Sequence, residues 1–159
     1  MRSTIRSNIL PRSRFLKRNR GCTPYLFVYG TLRKGIVNKA ATMLSQCAGY
    51  AGPAVVRGRL YRLAHYPGLV LSGGAGDWVW GDVYAIDHPL PMFRILDTYE
   101  GRTAPREFER TTASVLLESG ELVEAWVYVY ARSTFGRRRI VSGDFLKPWR
   151  RQHHAKGRR

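Results

Sequence analysis

Cysteine is scarce in this chain, which has only Cys22 and Cys47 among 159 residues. Their spacing matches no metal-binding pattern, and two cysteines do not make a disulfide framework. A reducing compartment is therefore the default expectation, and Cys47 is expected to pack as a small core hydrophobe. The four histidines form no ligand-spaced set, and the sequence has neither a P-loop nor a Ser-His-Asp pattern. We therefore expect no metal and no cofactor.

Long apolar runs are also missing, since no segment approaches the ~20 consecutive apolar residues that a membrane-spanning helix needs. The apolar run of about 7–15 residues that marks a secretory signal is missing too. Residues 1–21 are instead rich in Arg and Ser and free of acids. That composition fits a transit peptide, an extension from an upstream start codon or a disordered tail. We expect a cytoplasmic protein, or an organellar one if residues 1–24 are a transit peptide.

Acidic residues are few, at 11 against 27 Lys and Arg, which gives a formal net charge of +16. Seven positive charges precede Gly21 and six more lie from Lys147 onward, whereas all 11 acids lie between. The 14 basic and 11 acidic residues of the middle leave it at only +3. Such tails can contact RNA, DNA or anionic membrane without the domain having that task. We expect one domain at residues 25–149, with a basic extension at 1–24 and a basic tail at 150–159.

Residues 25–29 form an apolar, aromatic and β-branched run, which predicts a buried strand. It stops at Gly30, a residue free to take a positive φ or to let another molecule approach the backbone. A short amphipathic helix is predicted near residues 38–46. A strand that breaks at glycine and turns toward a helix exposes several backbone N–H groups, which favours a carboxylate or a phosphate. On geometry alone, an ordinary turn is the alternative interpretation.

The next segments predict short strands separated by glycine and proline. Gly49, Gly52 and Pro53 are expected to break the chain before a strand at residues 55–61. Pro67-Gly68 then predicts a type II turn, with proline at its second position and glycine at its third. A strand is predicted at residues 78–86.

The second half predicts a helix and a hairpin. The helix presents one apolar face and ends at Gly101. That face comprises Met92, Ile95, Leu96 and Tyr99. Residues 108–117 and 122–130 form a hairpin around Ser119-Gly120. Both faces of the second strand are apolar, so it is expected to be central or to line a barrel. The mixed order of strands and helices predicts the α+β class rather than regular βαβ units.

Glu100 is the carboxylate that stands out, because it lies at the predicted C-terminus of that helix. The partial negative charge of the helix end and the nearby Asp97 disfavour its ionised form. Both raise its expected pKa toward the range that a general acid or base needs. The alternative is a solvated carboxylate that frays the helix end.

Four segments, in order, resemble those of the γ-glutamylcyclotransferase-like superfamily. They are Val-Tyr-Gly-Thr-Leu-Arg at 28–33, Tyr-Pro-Gly-Leu-Val-Leu-Ser-Gly-Gly at 66–74 followed by Val-Trp-Gly-Asp-Val-Tyr at 79–84, Leu-Asp-Thr-Tyr-Glu-Gly at 96–101, and Ser-Gly-Asp-Phe at 142–145. The resemblance covers residues 25–149. It implies a small mixed β-barrel, closed or nearly closed, with flanking short helices.

The resemblance also implies a reaction, in which the α-amine of a γ-glutamyl amine or γ-glutamyl amino acid attacks its own γ-carbonyl. The products would be 5-oxoproline and a free amine, with Glu100 as general acid and base. The substrate would be held by Tyr29, Gly30, Thr31 and Leu32, with Arg33 supplying charge or facing solvent. The family often has a tyrosine where this chain has Phe108, two residues before Arg110, so a hydroxyl that positions the substrate is missing here.

A non-catalytic module that holds a small ligand, with tails contacting nucleic acid, is the alternative function. The tail charge favours it, whereas Glu100 and the loop at 29–32 favour the enzyme. Trp126, Tyr128 and Tyr130 share one strand face that could stack bases, but a core face is the favoured interpretation because aromatic residues dominate cores.

Overall fold

The fold was analysed in a computed structural model that describes residues 24–72, 74–100 and 107–147; for Tyr99 and Glu100 it describes the backbone only. The predicted extension, apart from Pro24, and the predicted tail lie outside the described residues, as does Gly101. The elements in chain order are β1 Tyr25–Val28, α1 Lys39–Cys47, β2 Ala48–Arg62, β3 Pro67–Leu71, β4 Trp78–Ile86, α2 Pro89–Glu100, β5 Phe108–Leu117, β6 Leu122–Tyr130 and β7 Arg138–Ile140.

Five of the strands close into a barrel in the order β2-β4-β1-β6-β5, because β5 pairs with β2 at the far side. The β1–β6 pairing is parallel and the other pairings are antiparallel, so the barrel is mixed. The last part of β2 runs beyond the barrel, where β3 and β7 pair with it. The α+β class and the small mixed β-barrel expected from the resemblance are confirmed.

The core has two parts, and β1 separates them. Phe27 and Tyr29 point into the barrel, whereas Leu26 and Val28 pack outside it beneath the two helices. Both faces of β1 are buried, which explains why its sequence is apolar without alternation. The same is true of β6, whose two faces belong to the two core parts, as its sequence predicted.

Helix α1 begins where predicted, because Asn38 is its N-cap and accepts a hydrogen bond from the Ala41 N–H at 2.8 Å. Helix α2 buries Met92, Phe93 and Leu96 against the outer core. Ile95, predicted for that face, is half exposed. The residue that completes the buried stripe is therefore Phe93, which packs edge-on against Trp126.

Three local predictions were wrong for reasons of tertiary packing. Gly49, Gly52 and Pro53 do not break the chain but lie within β2, where Gly52 has a φ of +138° next to a shift in register between Tyr50 and Gly52. Pro67 and Gly68 form no turn but begin β3, opposite Arg62 and Tyr61 of β2. Cys47 is exposed rather than buried, at the last turn of α1.

Neither helix within the described ranges is long and apolar enough to cross a membrane.

Candidate active site

The loop that follows β1 forms one wall of a small cavity of about 40 Å³. Four of the five substrate-binding residues predicted from the sequence line it, namely Tyr29, Gly30, Thr31 and Leu32. The opposite walls come from distant parts of the chain. They comprise Tyr66, Pro67, Phe108 and Tyr128, while Phe27 and Val28 of β1 line the cavity next to the loop. The barrel thus brings the loop against β3, β5 and β6, which the sequence alone does not indicate.

Tyr29 anchors the loop to the barrel through its buried phenol. Its hydroxyl donates to the backbone carbonyl of Tyr128 at 2.7 Å and accepts from the Leu69 N–H at 3.4 Å. One side chain therefore ties the loop to both β6 and β3. The predicted contribution of Tyr29 was its backbone; the structure adds this side-chain role.

Gly30 is required by a neighbour rather than by its own dihedral angles. It is not among the glycines with positive φ, so that part of its prediction was wrong. A Cβ at this position would lie 2.7 Å from Cγ and 2.8 Å from Cδ of Pro67. Such distances are well inside van der Waals contact, so only glycine lets β3 approach the loop this closely. The close approach anticipated at Gly30 comes from within the chain.

Arg33 does not line the cavity. Its Nε lies 3.1 Å from Asp82 Oδ2 and its Nη1 lies 2.8 Å from Asp144 Oδ1, and both carboxylates are buried. The side chain of Arg33 is only 13% exposed, so its predicted alternative of facing solvent was wrong. Because each carboxylate belongs to a different recognised segment, the ion pairs tie the loop to β4 and to the segment at 142–145. This arrangement favours a structural role for the charge over contact with substrate.

Tyr128 connects the cavity to helix α2. Its backbone carbonyl holds Tyr29, and its hydroxyl donates to Asp97 Oδ1 at 2.5 Å. The same carboxylate accepts two hydrogen bonds from Arg110 Nη1, each at 3.2 Å. Burial and, next, the hydrogen bond to Asp97 raise the pKa of Tyr128, so the phenol stays protonated at neutral pH.

Arg110 is held in place by aromatic rings as well as by charge. Its guanidinium lies 4.0 Å from the centre of the Phe93 ring and 5.3 Å from that of Trp126. A stacked and ion-paired arginine has little freedom. The link from β6 through Asp97 to β5 is therefore rigid, and it meets α2 in its last turn.

Glu100 is the last residue of α2, but its side chain is outside the described part of the structure. Its catalytic role therefore stays a prediction. Besides Asp97, which bonds to Tyr128, a second described carboxylate bonds to a residue of the cavity wall. The Oε2 of Glu107 accepts a hydrogen bond from the Tyr66 hydroxyl at 2.8 Å. Neither Tyr66 nor Glu107 was predicted from the sequence as a site residue. Their signal was weak, namely a tyrosine beside Pro67 and an acid beside the predicted Phe108.

Phe108 lies in the cavity wall between two tyrosines. Its ring centre is 6.0 Å from that of Tyr66 and 5.8 Å from that of Tyr130. The wall thus retains its aromatic character without a hydroxyl at this position. In the described ranges, no three His, Cys, Asp or Glu side chains come together as metal ligands.

Known proteins resemble this chain over most of its length. Residues 26–150 match the family model described as gamma-glutamyl cyclotransferase, AIG2-like. The chain is 38% identical over 138 residues to gamma-L-glutamyl-butirosin B gamma-glutamyl cyclotransferase from Niallia circulans, covering 82% of this chain and 80% of that protein. It is 37% identical over 119 residues to gamma-glutamylaminecyclotransferase from Bos taurus, covering 67% of this chain and 65% of that protein.

A solved structure shows the same fold. The solution structure of protein ytfP from Escherichia coli superimposes with a TM-score of 0.55 at 34% identity, covering 77% of this chain and 96% of that protein. The family model spans the loop, the barrel and α2, and the relatives carry the activity in their names. The chain therefore belongs to the AIG2-like gamma-glutamyl cyclotransferase family.

Proposed function

We propose that this protein releases the γ-glutamyl group of a γ-glutamyl amine or γ-glutamyl amino acid as 5-oxoproline, with Glu100 as general acid and base. The observation that carries the proposal is the link between the loop and the helix. Tyr29 in the loop bonds to Tyr128, and Tyr128 bonds to Asp97, which lies one helical turn before Glu100. The family match at the same two segments supports these roles.

The reaction needs no nucleophilic side chain, because the nucleophile is the α-amine of the substrate. That nitrogen attacks the γ-carbonyl carbon, a C–N bond of the new ring forms, and the C–N bond to the leaving amine breaks. The α-nitrogen begins as an ammonium with three protons and ends as a ring N–H with one, so it loses two protons. The departing nitrogen takes up one proton as its C–N bond breaks and a second as the free amine becomes an ammonium, so a single carboxylate at Glu100 serves as base and then as acid. No net redox change occurs.

The cavity would contribute mainly by positioning. Attack requires the amine and the carbonyl carbon to be held at about 3–3.5 Å in a bent substrate. The N–H groups of the loop at 29–32 would bind the α-carboxylate or the carbonyl oxygen, because turned backbone N–H groups favour negative charge. The aromatic wall formed by Tyr66 and Phe108 would exclude water from that group.

We also propose that the enzyme accepts leaving amines of different sizes. The names of two relatives specify gamma-L-glutamyl-butirosin B and gamma-glutamylamines, which have a γ-glutamyl group in common. We propose that the γ-glutamyl group binds at the loop and that the leaving amine projects away from it. γ-Glutamyl donors of different amine size should then be accepted at comparable rates.

The test is incubation of the protein with a panel of γ-glutamyl dipeptides, γ-glutamyl-ε-lysine and γ-glutamyl alkylamines, with 5-oxoproline measured by mass spectrometry. Glu100→Gln is expected to lower turnover by about 10²–10⁴-fold, as for loss of a general base, with unchanged circular dichroism. Asp97 is not a suitable control position, because its carboxylate bonds to Tyr128 and Arg110. The matched control is Glu109→Gln, since Glu109 is an exposed acid on β5. Near wild-type activity in Glu100→Gln would overturn the assignment, and ligand binding without 5-oxoproline would favour the non-catalytic module.

A further inference from the structure

The enzyme site does not account for an aromatic and basic surface on the outside of the barrel. β4 carries Trp78 and Trp80 two residues apart, so both point to the same face. They are 38% and 44% exposed, although tryptophan is usually much more buried. The face that the sequence analysis considered for base stacking, that of Tyr128 and Tyr130, is buried instead. The exposed aromatic pair of this fold is therefore on β4.

Basic side chains surround these two indoles because of the register between β2 and its neighbours. Arg57 is directly opposite Trp78, and its guanidinium lies 5.0 Å from the centre of that ring. Arg59, two residues further along β2, lies on the same outer face. Lys147 Nζ lies 5.2 Å from the centre of the Trp80 ring. Each exposed indole thus has a cation beside it.

A groove of about 400 Å³ runs along this face and contains both tryptophans. Its basic walls are Arg59 and Arg139, which share one carboxylate, that of Asp77. The hydrogen bond from Arg59 and, next, the one from Arg139 lower the pKa of Asp77. Two cations on one acid leave the groove with excess positive charge.

Further basic residues follow in the sequence. The chain runs on from Lys147 into residues 148–159, which carry five more basic residues and no acid. The complement of this surface is a polyanion that also presents flat aromatic groups.

We propose that the outer face formed by Arg57, Arg59, Trp78, Trp80 and Arg139 binds single-stranded nucleic acid. Bases would stack on the indoles and phosphates would pair with the arginines, which is how sequence-tolerant single-strand sites work. The net charge of +16 would supply the non-specific attraction, and the tryptophans would distinguish a nucleic acid from any other polyanion. This inference is independent of the cyclotransferase reaction, since none of these side chains lines its cavity.

The test uses the full chain and fluorescence anisotropy with labelled 20-nucleotide oligo(dT) and oligo(U), over a salt series. Trp78→Ala and Trp80→Ala are each expected to weaken binding by about fivefold or more, since each removes one stacking platform. Phe135→Ala is the matched control, because that aromatic residue is 95% exposed and lies outside the groove. Arg57→Gln should flatten the salt dependence, whereas Arg94→Gln, on the exposed surface of α2, should not.

Three further measurements make the outcome decisive. Inorganic polyphosphate competes for charge but offers no bases, so its affinity should be unchanged in the tryptophan variants. Vesicles with about 30 mol% anionic lipid test a membrane surface, and preference for these over oligonucleotides would overturn the proposal. In the wild-type protein, oligo(U) should quench tryptophan fluorescence, which keeps the test valid if an alanine variant does not fold. Equal oligonucleotide affinity in the folded tryptophan variants and the wild type would overturn the proposal and leave the basic tails as the cause.

Discussion

At the scale of single residues, the contact between Gly30 and Pro67 matters most to the cavity. The two residues belong to separate segments of the family pattern, and here they touch. The proline ring occupies the space that any side chain at position 30 would need. The loop can therefore pass under β3 only when position 30 is glycine.

Gly30→Ala is expected to destabilise the protein by ~1–3 kcal/mol, the usual cost of overpacking, and to raise KM for the γ-glutamyl substrate. Urea unfolding and steady-state kinetics measure the two effects. Gly49→Ala is the matched control, because its added Cβ would have no neighbour closer than 4.0 Å and its φ is not in the left-handed region.

Adding Pro67→Ala tests the cause, because it removes the two ring atoms that would clash. The double variant Gly30→Ala/Pro67→Ala should recover a large part of the stability lost, as a favourable coupling energy in a double-mutant cycle. Additive losses would show that the glycine is needed for another reason.

Tyr50 is a residue whose ionisation is coupled to folding. Its hydroxyl donates to Asp82 Oδ1 at 3.0 Å, and burial, followed by the charge of Asp82, raises its pKa from 10.0 to about 12. The folded protein therefore retains this proton at pH values where the unfolded chain loses it. The stability from Tyr50 is fully present below pH 10 and is lost as the pH rises toward 12.

Tyr50→Phe should consequently show a shallower loss of stability between pH 10 and 12 than the wild type. Denaturant midpoints at intervals over that range measure it, with Tyr61→Phe on the same strand as control. The loss would not disappear entirely, because burial also raises the pKa of Tyr84. Parallel pH profiles for the wild type and Tyr50→Phe would contradict this assignment.

At the scale of elements, β6 and α2 are joined beside the cavity, through the side chain of a residue that lines it. Tyr128 holds the loop with its carbonyl and α2 with its hydroxyl, and Arg110 of β5 fixes the same carboxylate of Asp97. Helix ends fray because their last carbonyls lack partners, so a bond in the last turn of α2 limits this motion. Two strands, β5 and β6, therefore determine where the end of α2 lies.

Tyr128→Phe is expected to lower kcat by about ten- to hundredfold with a smaller change in KM, because Glu100, the proposed general acid and base, would be less well positioned. Hydrogen exchange in residues 94–100 should become faster, and this readout does not depend on turnover. Tyr84→Phe is the matched control, since Tyr84 is equally buried in the same part of the core and makes no hydrogen bond to α2 among the described contacts. Unchanged kcat and exchange in Tyr128→Phe would mean that the link has no positioning role.

At the scale of the whole molecule, the charge and the fold are separate properties. Twelve of the positive charges lie in residues 1–24 and 150–159, whereas the two parts of the core draw on residues 25–145. We expect a truncated chain of residues 25–149 to fold and to keep its cyclotransferase activity. Thermal unfolding and 5-oxoproline release, compared with the full chain, test this expectation, and a large loss of stability on truncation would show that the N-terminal segment packs on the domain.

The sequence by itself determined the elements in which the local pattern and the tertiary environment agree. The hairpin of β5 and β6, the strand β4 and the helix α1 follow from apolar patterning and glycine turns, which depend on neighbours along the chain. That Asn38 caps α1 was added by the structure. The sequence also indicated the loop at 29–32, because a strand that ends at glycine before a helix is visible in the residues. The family resemblance came from that loop and from three further segments, at 66–84, 96–101 and 142–145.

Only the tertiary structure decided what faces that loop and what each motif residue does. Pro67 and Gly68 have the composition of a turn, but pairing with β2 makes them a strand, since ladder hydrogen bonds outweigh a local turn preference. Arg33 meets two acids that are 49 and 111 residues away, and Tyr29 meets a carbonyl 99 residues away. No periodicity along the chain encodes such contacts, because they exist only once the barrel has closed.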